Sequence, residues 1–190
     1  GNPTGVFVDN AETLIGEMIP KLTPADRQRM LANAADACLA AGLTGVHDMG
    51  MEPEQIEDYK ALVDAGRMGI RVYAMLEAPD AGENVEAYLK RYRVDGYGNG
   101  MLTVRGVKLY MDGALGSRGA AMLAPYSDDP GNAGLLVTPF ERVVAVCRDA
   151  LKAGFQVCTH AIGDRGNRMI LNAYEEALSA VPEQDPRFRV

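Results

Sequence analysis

The sequence predicts an α/β fold, a parallel sheet covered by helices, and three observations predict it. Short apolar runs alternate with amphipathic stretches about four times along the 190 residues. Several amphipathic stretches carry helix-start and helix-stop residues at their ends. Polar residues collect where the apolar runs finish: His47 and Asp48, then Lys108 and Asp112, then Thr159 and His160. Alternating elements of this kind imply a parallel sheet with helical crossovers.

Each element has its own justification. Residues 1–9, "GNPTGVFVD", read as a turn and a short strand, and residues 1–22 as an N-terminal extension within one domain spanning 1–190. "TPADRQRMLANAADACLAAG" reads as a helix that Thr23 can cap, with Pro24 at its first position and Gly42 closing it. Met30, Leu31, Ala34, Cys38 and Leu39 form its apolar stripe. "LTGVHDMG" is a short strand, "PEQIEDYKALVDAG" a helix stopped by Gly66, and "IRVYAML" a core strand. "ENVEAYLKRYR" is a helix and "VRGVKLYMDG" the next strand. A long loop, "ALGSRGAAMLAPYSDDPGNAGLLVT", interrupts the rhythm. "PFERVVAVCRDALKAG" is a helix, "FQVCTHAIG" a strand, "DRGNRMILNAYEEALSAV" a helix, and "RFRV" the start of another strand.

Composition narrows the function classes. The chain is 47% hydrophobic, enough for one sizeable core. Its net charge of −7 and lack of a basic run argue against a nucleic-acid partner. No apolar run approaches the roughly 20 residues of a membrane span, and no signal peptide is visible. Cys38, Cys147 and Cys158 lie in apolar neighbourhoods and form no Cys-x-x-Cys pair. They read as buried free thiols in a reducing, cytoplasmic setting.

Two architectures suit the pattern, an open doubly wound sheet and a (β/α)8 barrel. No G-x-G-x-x-G follows the first core strand and no Walker A sequence is present, which weakens the nucleotide-binding version. Polar residues at strand C-termini are where barrel enzymes place their chemistry. A barrel takes about 250 residues, and roughly five core strands are present here, so a partial barrel is expected, a segment of a longer protein. Open sheet edges would then favour self-association, a homo-oligomer.

Few positions carry chemistry. Lys108 sits inside the apolar run "GVKLYM". Its stem can lie along the sheet while the ammonium reaches solvent. Burial can instead free the neutral amine as a Schiff-base nucleophile, or let it add carbon dioxide and become a metal-bridging carbamate. His160, in "QVCTHAIGD", is either a hydrogen-bonded core histidine or a metal ligand or general base. His47 is a similar, less persuasive case, with Asp48 beside it able to cap a turn. Asp164 is placed to cap the helix that begins near Arg165. Asp112, Ser117 and Arg118 begin the long loop, and Arg118 can hold a substrate carboxylate.

The segments "GNPTGVFVDNA", "AGLTGVHDMG", "GVKLYMDGALGSRGAAMLAPYSDDPGNAGLL" and "VCTHAIGDRGNRMILNAYEEA" resemble the amidohydrolase superfamily, specifically the branch containing N-substituted formamide deformylase. The resemblance covers nearly the whole chain and implies a metal-dependent hydrolase TIM barrel. In such barrels the ligands are an H-x-H pair on the first strand, a lysine, often carboxylated, on the fourth, histidines on the fifth and sixth, and an aspartate on the eighth. Lys108 matches the fourth-strand lysine and His160 the fifth-strand histidine, so the chain would supply about strands 2 to 6. His47 and Asp164 would stand behind the ligands, and Asp112, Ser117 and Arg118 in a substrate loop.

What the resemblance implies for the parent protein is hydrolysis of a carbon–nitrogen bond in a non-peptide amide, formamide or cyclic amide. One or two divalent ions, expected to be zinc, would serve it. This sequence contains no H-x-H and neither the sixth-strand histidine nor the eighth-strand aspartate, the general base. The segment alone is therefore expected to be inactive. A Schiff-base lyase or aldolase built on Lys108, and a non-catalytic remnant domain, stand as the alternatives.

Overall fold

A computed structural model describes residues 5–7, 9–181 and 185–190 of the chain. The strand expected within residues 1–9 falls partly outside that set, and the described Gly5–Phe7 is not in a strand. The chain then turns helical, as a 3-10 turn at Asp9–Glu12 and a single α-helical turn, α1 (Thr13–Gly16). The regular elements follow as α2 (Pro24–Ala40), β1 (Gly45–Met51), α3 (Glu54–Asp64), β2 (Arg71–Glu77), α4 (Val85–Tyr92), β3 (Val94–Gly96) and α5 (Tyr97–Gly100). After them come β4 (Leu102–Tyr110), α6 (Phe140–Ala153), β5 (Gln156–His160) and α7 (Asp164–Ala180).

Helix α2 starts as its residues dictate: Thr23 is extended and its hydroxyl accepts the Asp26 N–H at 3.2 Å. Its buried side differs from the expected stripe. Ala32 and Ala35 are buried, with Leu31 and Cys38 packed beside them, while Met30 and Leu39 are exposed. A polar clamp sets this rotation. Arg27 Nε donates to Asp58 Oδ2 at 2.5 Å and Gln28 Nε2 to Asp58 Oδ1 at 3.1 Å, with Asp58 buried on α3. That turns the Arg27–Leu31–Ala35–Cys38 side of α2 toward α3, and the two alanines permit close approach.

β1, β2, β4 and β5 form a parallel sheet in that order. The start of a further strand at "RFRV" pairs too, with Arg189 bridged in parallel to Cys158. β3 and α5 are additions to the predicted pattern. Positive φ at Gly96, Gly98, Asn99 and Gly100 folds "VDGYGNG" into a tight reversal, and β3 lies antiparallel against β4.

The two faces of the sheet are unlike. Val72, Ala74, Leu76, Leu102, Val104, Val107, Leu109 and Val157 share one core cluster with residues of α3, α4, α6 and α7, such as Leu62, Leu89, Val143, Cys147, Ile170 and Ala173. The opposite face carries His47, Tyr73, Met75, Glu77, Lys108, Tyr110, Gln156, Cys158 and His160, as the strand register and two-residue side-chain period require. That face is concave. Arg189, four strand steps from β1, still brings Nη1 within 2.6 Å of His47 Nδ1. In a flat sheet those steps would span about 19 Å, beyond the reach of an arginine side chain.

Two irregularities shape this sheet: Arg105 is an extra residue in β4 between Val104 and Gly106, and the other lies in β1. Between Met49 and Met51 the β1–β2 register slips by one residue. Gly50 supplies the extra position at φ +90°, a conformation that favours glycine. The slip turns Met51 into the helix-covered core, where it is 1% exposed.

Candidate active site

The concave face collects polar groups at the C-terminal ends of three strands. Lys108 is two residues before the end of β4, Glu77 ends β2, and His160 ends β5. The parallel register sets Glu77 beside Lys108, Lys108 beside Cys158, and Tyr110 beside His160. Paired residues project to the same side of a sheet, so Lys108 and His160 share one face.

Lys108 is buried, at 8% exposure. Its Nζ donates to the Leu109 carbonyl at 3.1 Å and lies 3.8 Å from the centre of the Tyr110 ring. Burial pushes its amine below the ordinary lysine value, with the nearby Glu77 carboxylate opposing the shift. Glu77 responds in the other direction: burial pushes its carboxyl up, against the attraction of Lys108. Burial and Glu77 together raise the Tyr110 phenol. Tyr110 links the two candidate residues, since its ring centre is 6.0 Å from that of His160.

Gly50 keeps this corner open. A Cβ there would lie 2.7 Å from Glu77 Oε2, 3.2 Å from the Tyr110 hydroxyl and 3.8 Å from Lys108 Cγ. Sequence reasoning missed Glu77, Tyr110 and Gly50. The signal that was present is that Glu77, like Lys108, is a charged residue at the end of an apolar strand, "RVYAMLE".

The remaining candidates separate. Asp112 is 1% exposed and accepts three backbone N–H groups, from Ala121 at 2.8 Å, Ile162 at 2.9 Å and Gly163 at 2.8 Å. Its Oδ1 lies 3.7 Å from His160 Nε2. Ser117 is exposed and donates to the Ala114 carbonyl at 3.2 Å. Arg118 makes a two-pronged pair with Asp128 of the same loop, Nε to Oδ1 at 3.2 Å and Nη2 to Oδ2 at 2.5 Å.

Asp164 is the first residue of α7, with Gly163 as the N-cap, so the helix begins one residue earlier than expected. Its carboxylate accepts the Leu123 N–H at 2.7 Å and the Arg165 N–H at 2.8 Å, tying the long loop to the helix start.

His47 stands away from this group, in register with Tyr73, four residues before Glu77 on the neighbouring strand. It belongs to a network at the other end of the face. Arg189 approaches His47, donates to Gln156 Oε1 at 2.8 Å and lies over the Tyr73 ring, whose hydroxyl donates to Gln156 Oε1 at 3.1 Å. Burial, reinforced by the Arg189 charge, holds the His47 imidazole below its ordinary value.

All three cysteines are free thiols; Cys147 and Cys158 are buried, and burial pushes the Cys147 thiol up to about 12. Among the described residues no group of three or more His, Cys, Asp or Glu side chains is arranged to hold a metal ion. Also among them, no helix is long and apolar enough to cross a membrane.

The chain belongs to the amidohydrolase family, whose model it matches over residues 1–190. Protein LONG AFTER FAR-RED 3 of Arabidopsis thaliana is 31% identical over 200 residues, covering 100% of this chain and 34% of that protein. An uncharacterized metal-dependent hydrolase of Pyrococcus horikoshii OT3 superposes with a TM-score of 0.74 at 31% identity, covering 87% of this chain and 33% of its own. Another from Pyrococcus furiosus gives 0.75 at 30% identity, covering 88% and 34%. The chain thus spans about a third of the length of the relatives it matches.

Proposed function

We propose that this chain forms part of the catalytic barrel of a metal-dependent hydrolase that cleaves carbon–nitrogen bonds in small non-peptide amides, formamides or cyclic amides, in the manner of the formamide deformylase branch. The observation that carries this reading is the placement of Lys108: a buried amine on the concave face of a curled parallel sheet, at the strands' C-terminal ends, with Glu77, Tyr110 and His160 around it. The curl that brings Arg189 to His47 supports a barrel of which these strands are about the second to the sixth.

The residues fit a divalent ion, zinc being the one proposed, in kind but not in number. The His160 imidazole has no hydrogen-bond partner among the described residues, and the Lys108 amine has only one carbonyl. Both are available as ligands, Lys108 after its neutral amine adds carbon dioxide and releases a proton to become a carbamate. Catalytic sites generally need at least three protein ligands, so the others belong to parts of a longer protein.

The ion would supply a Lewis acid for the substrate carbonyl and a source of hydroxide near neutral pH. This chain's own residues contribute around it. Glu77, its carboxyl raised by burial, stands beside Lys108 as a group able to exchange a proton with it. Tyr110 shields Lys108 from water. Residues 112–136, anchored through Asp112 and Asp164, would wall the mouth of the site.

The test uses the full-length protein. Metal analysis should find at least one divalent ion per chain, and a screen of formamides, cyclic amides and simple amides should give hydrolysis. Lys108→Ala and His160→Ala should each lower both metal content and rate, the rate by at least about 100-fold. Metal-independent activity trapped by borohydride at Lys108 would overturn the reading in favour of a Schiff-base enzyme.

A further inference from the structure

The carboxylate of Asp112 is buried and held on both oxygens. Its side chain is 0% exposed and is gripped by three N–H groups from two separate loops. Oδ2 receives Ala121 and Gly163, and Oδ1 receives Ile162. Gly166, in the first turn of α7, closes the cradle: a Cβ there would lie 2.5 Å from Asp112 Oδ2. All three hydrogen-bond partners are donors, so the group they hold must be an acceptor on both oxygens.

The His160 side chain faces this fixed anion. His160 Nε2 is 3.7 Å from Oδ1, longer than a hydrogen bond but at ion-pair distance. A neutral imidazole has one N–H and one lone pair, and the neighbour of one nitrogen determines which is which. An acceptor-only carboxylate beside Nε2 favours the proton there and leaves the lone pair on Nδ1.

We propose that Asp112 is a positioning residue for His160: it holds the ring as the Nε2–H tautomer, so that Nδ1 is the nitrogen presented to a ligand. The same carboxylate ties the start of the 112–136 loop to the β5–α7 turn, so ring and loop are set by one group. That Nδ1 meets a metal rests on the function proposed above; the tautomer does not. Outer carboxylates of this kind orient metal-ligating histidines generally, and losing one typically costs 10- to 100-fold in metal affinity.

The test is the two-bond proton–nitrogen spectrum of the metal-free full-length protein, labelled in histidine. It is recorded at alkaline pH, with the His160 signals assigned by their loss in His160→Gln. Wild type should show Nε2 protonated and Nδ1 bare. In Asp112→Asn the amide keeps its oxygen on the two donors at Oδ2 and turns N–H toward His160, while the Ile162 N–H loses its acceptor. That variant should therefore gain the Nδ1–H tautomer and bind zinc about 10- to 100-fold more weakly.

A purely structural Asp112 would leave the tautomer unchanged in a folded Asp112→Asn, and that result overturns the proposal. So does a wild-type His160 protonated on Nδ1, which decides the matter even if the variant fails to fold. A protein that shows the expected tautomer switch but binds no metal would sink the hydrolase reading and leave the positioning role intact.

Discussion

Glu77 and Lys108 occupy the same register step on adjacent parallel strands, a half-buried carboxylate beside a buried amine, yet the amine turns to the Leu109 carbonyl and the Tyr110 ring. Both groups are pushed toward neutrality by burial. Such a pair contributes little to folding and much to a site that needs a neutral amine and a proton carrier.

Replacing both partners, Lys108→Met together with Glu77→Leu, should therefore raise stability by about 1 kcal/mol near neutral pH, while abolishing activity of the full-length protein. The folded-state value of Lys108 is depressed, so the native state binds fewer protons than the unfolded chain between that value and the ordinary 10.5. Wild-type stability should rise with pH across that window. The advantage of the double variant should shrink as it does, which denaturation series at several alkaline pH values will show.

Gly50→Ala combines a positive φ with a methyl group 2.7 Å from Glu77 Oε2. The left-handed conformation alone costs an alanine about 1–2 kcal/mol. Chemical denaturation should show a loss of at least that size. Activity should fall further than stability explains, because the methyl displaces Glu77 and crowds Tyr110.

His47 offers a pH test at the opposite end of the face. Its folded-state value lies below the ordinary 6.5, so folding releases protons from it between the two values. Stability should rise with pH across that window and fall as the solution is acidified through it. His47→Gln should flatten this slope in thermal melts. An unchanged slope would place the Arg189–His47 approach outside the folded protein's energetics.

Asp58→Ala removes the acceptor that Arg27 and Gln28 share. Losing a buried, charge-assisted clamp between α2 and α3 should cost about 2–3 kcal/mol. Arg27→Ala leaves the buried Asp58 carboxylate with the neutral Gln28 amide alone and should cost more. Equal losses in the two variants would show that the stranded carboxylate carries no penalty of its own.

The order and type of most elements were legible because their causes are local. Thr23–Pro24 starts α2 whatever the chain around it does, and the apolar runs of β2 and β4 have few other places to go. The "VDGYGNG" reversal was not read, although its glycines were in view, because a three-residue strand has too few side chains to show a period. The buried side of α2 was misread because its rotation follows Asp58, a residue 31 positions from Arg27.

What the sequence by itself determined is the alternation of strand and helix, the parallel sheet, and the two residues, Lys108 and His160, whose types and places invite chemistry. Each follows from side-chain size, polarity and spacing along a short stretch. Only the tertiary structure decided what surrounds them. Glu77 meets Lys108 through strand register, Gly50 leaves room through a one-residue slip, and Asp112 reaches His160 because two loops converge on one carboxylate. Those contacts join residues tens of positions apart, and no local preference encodes which pairs will meet when the sheet curls.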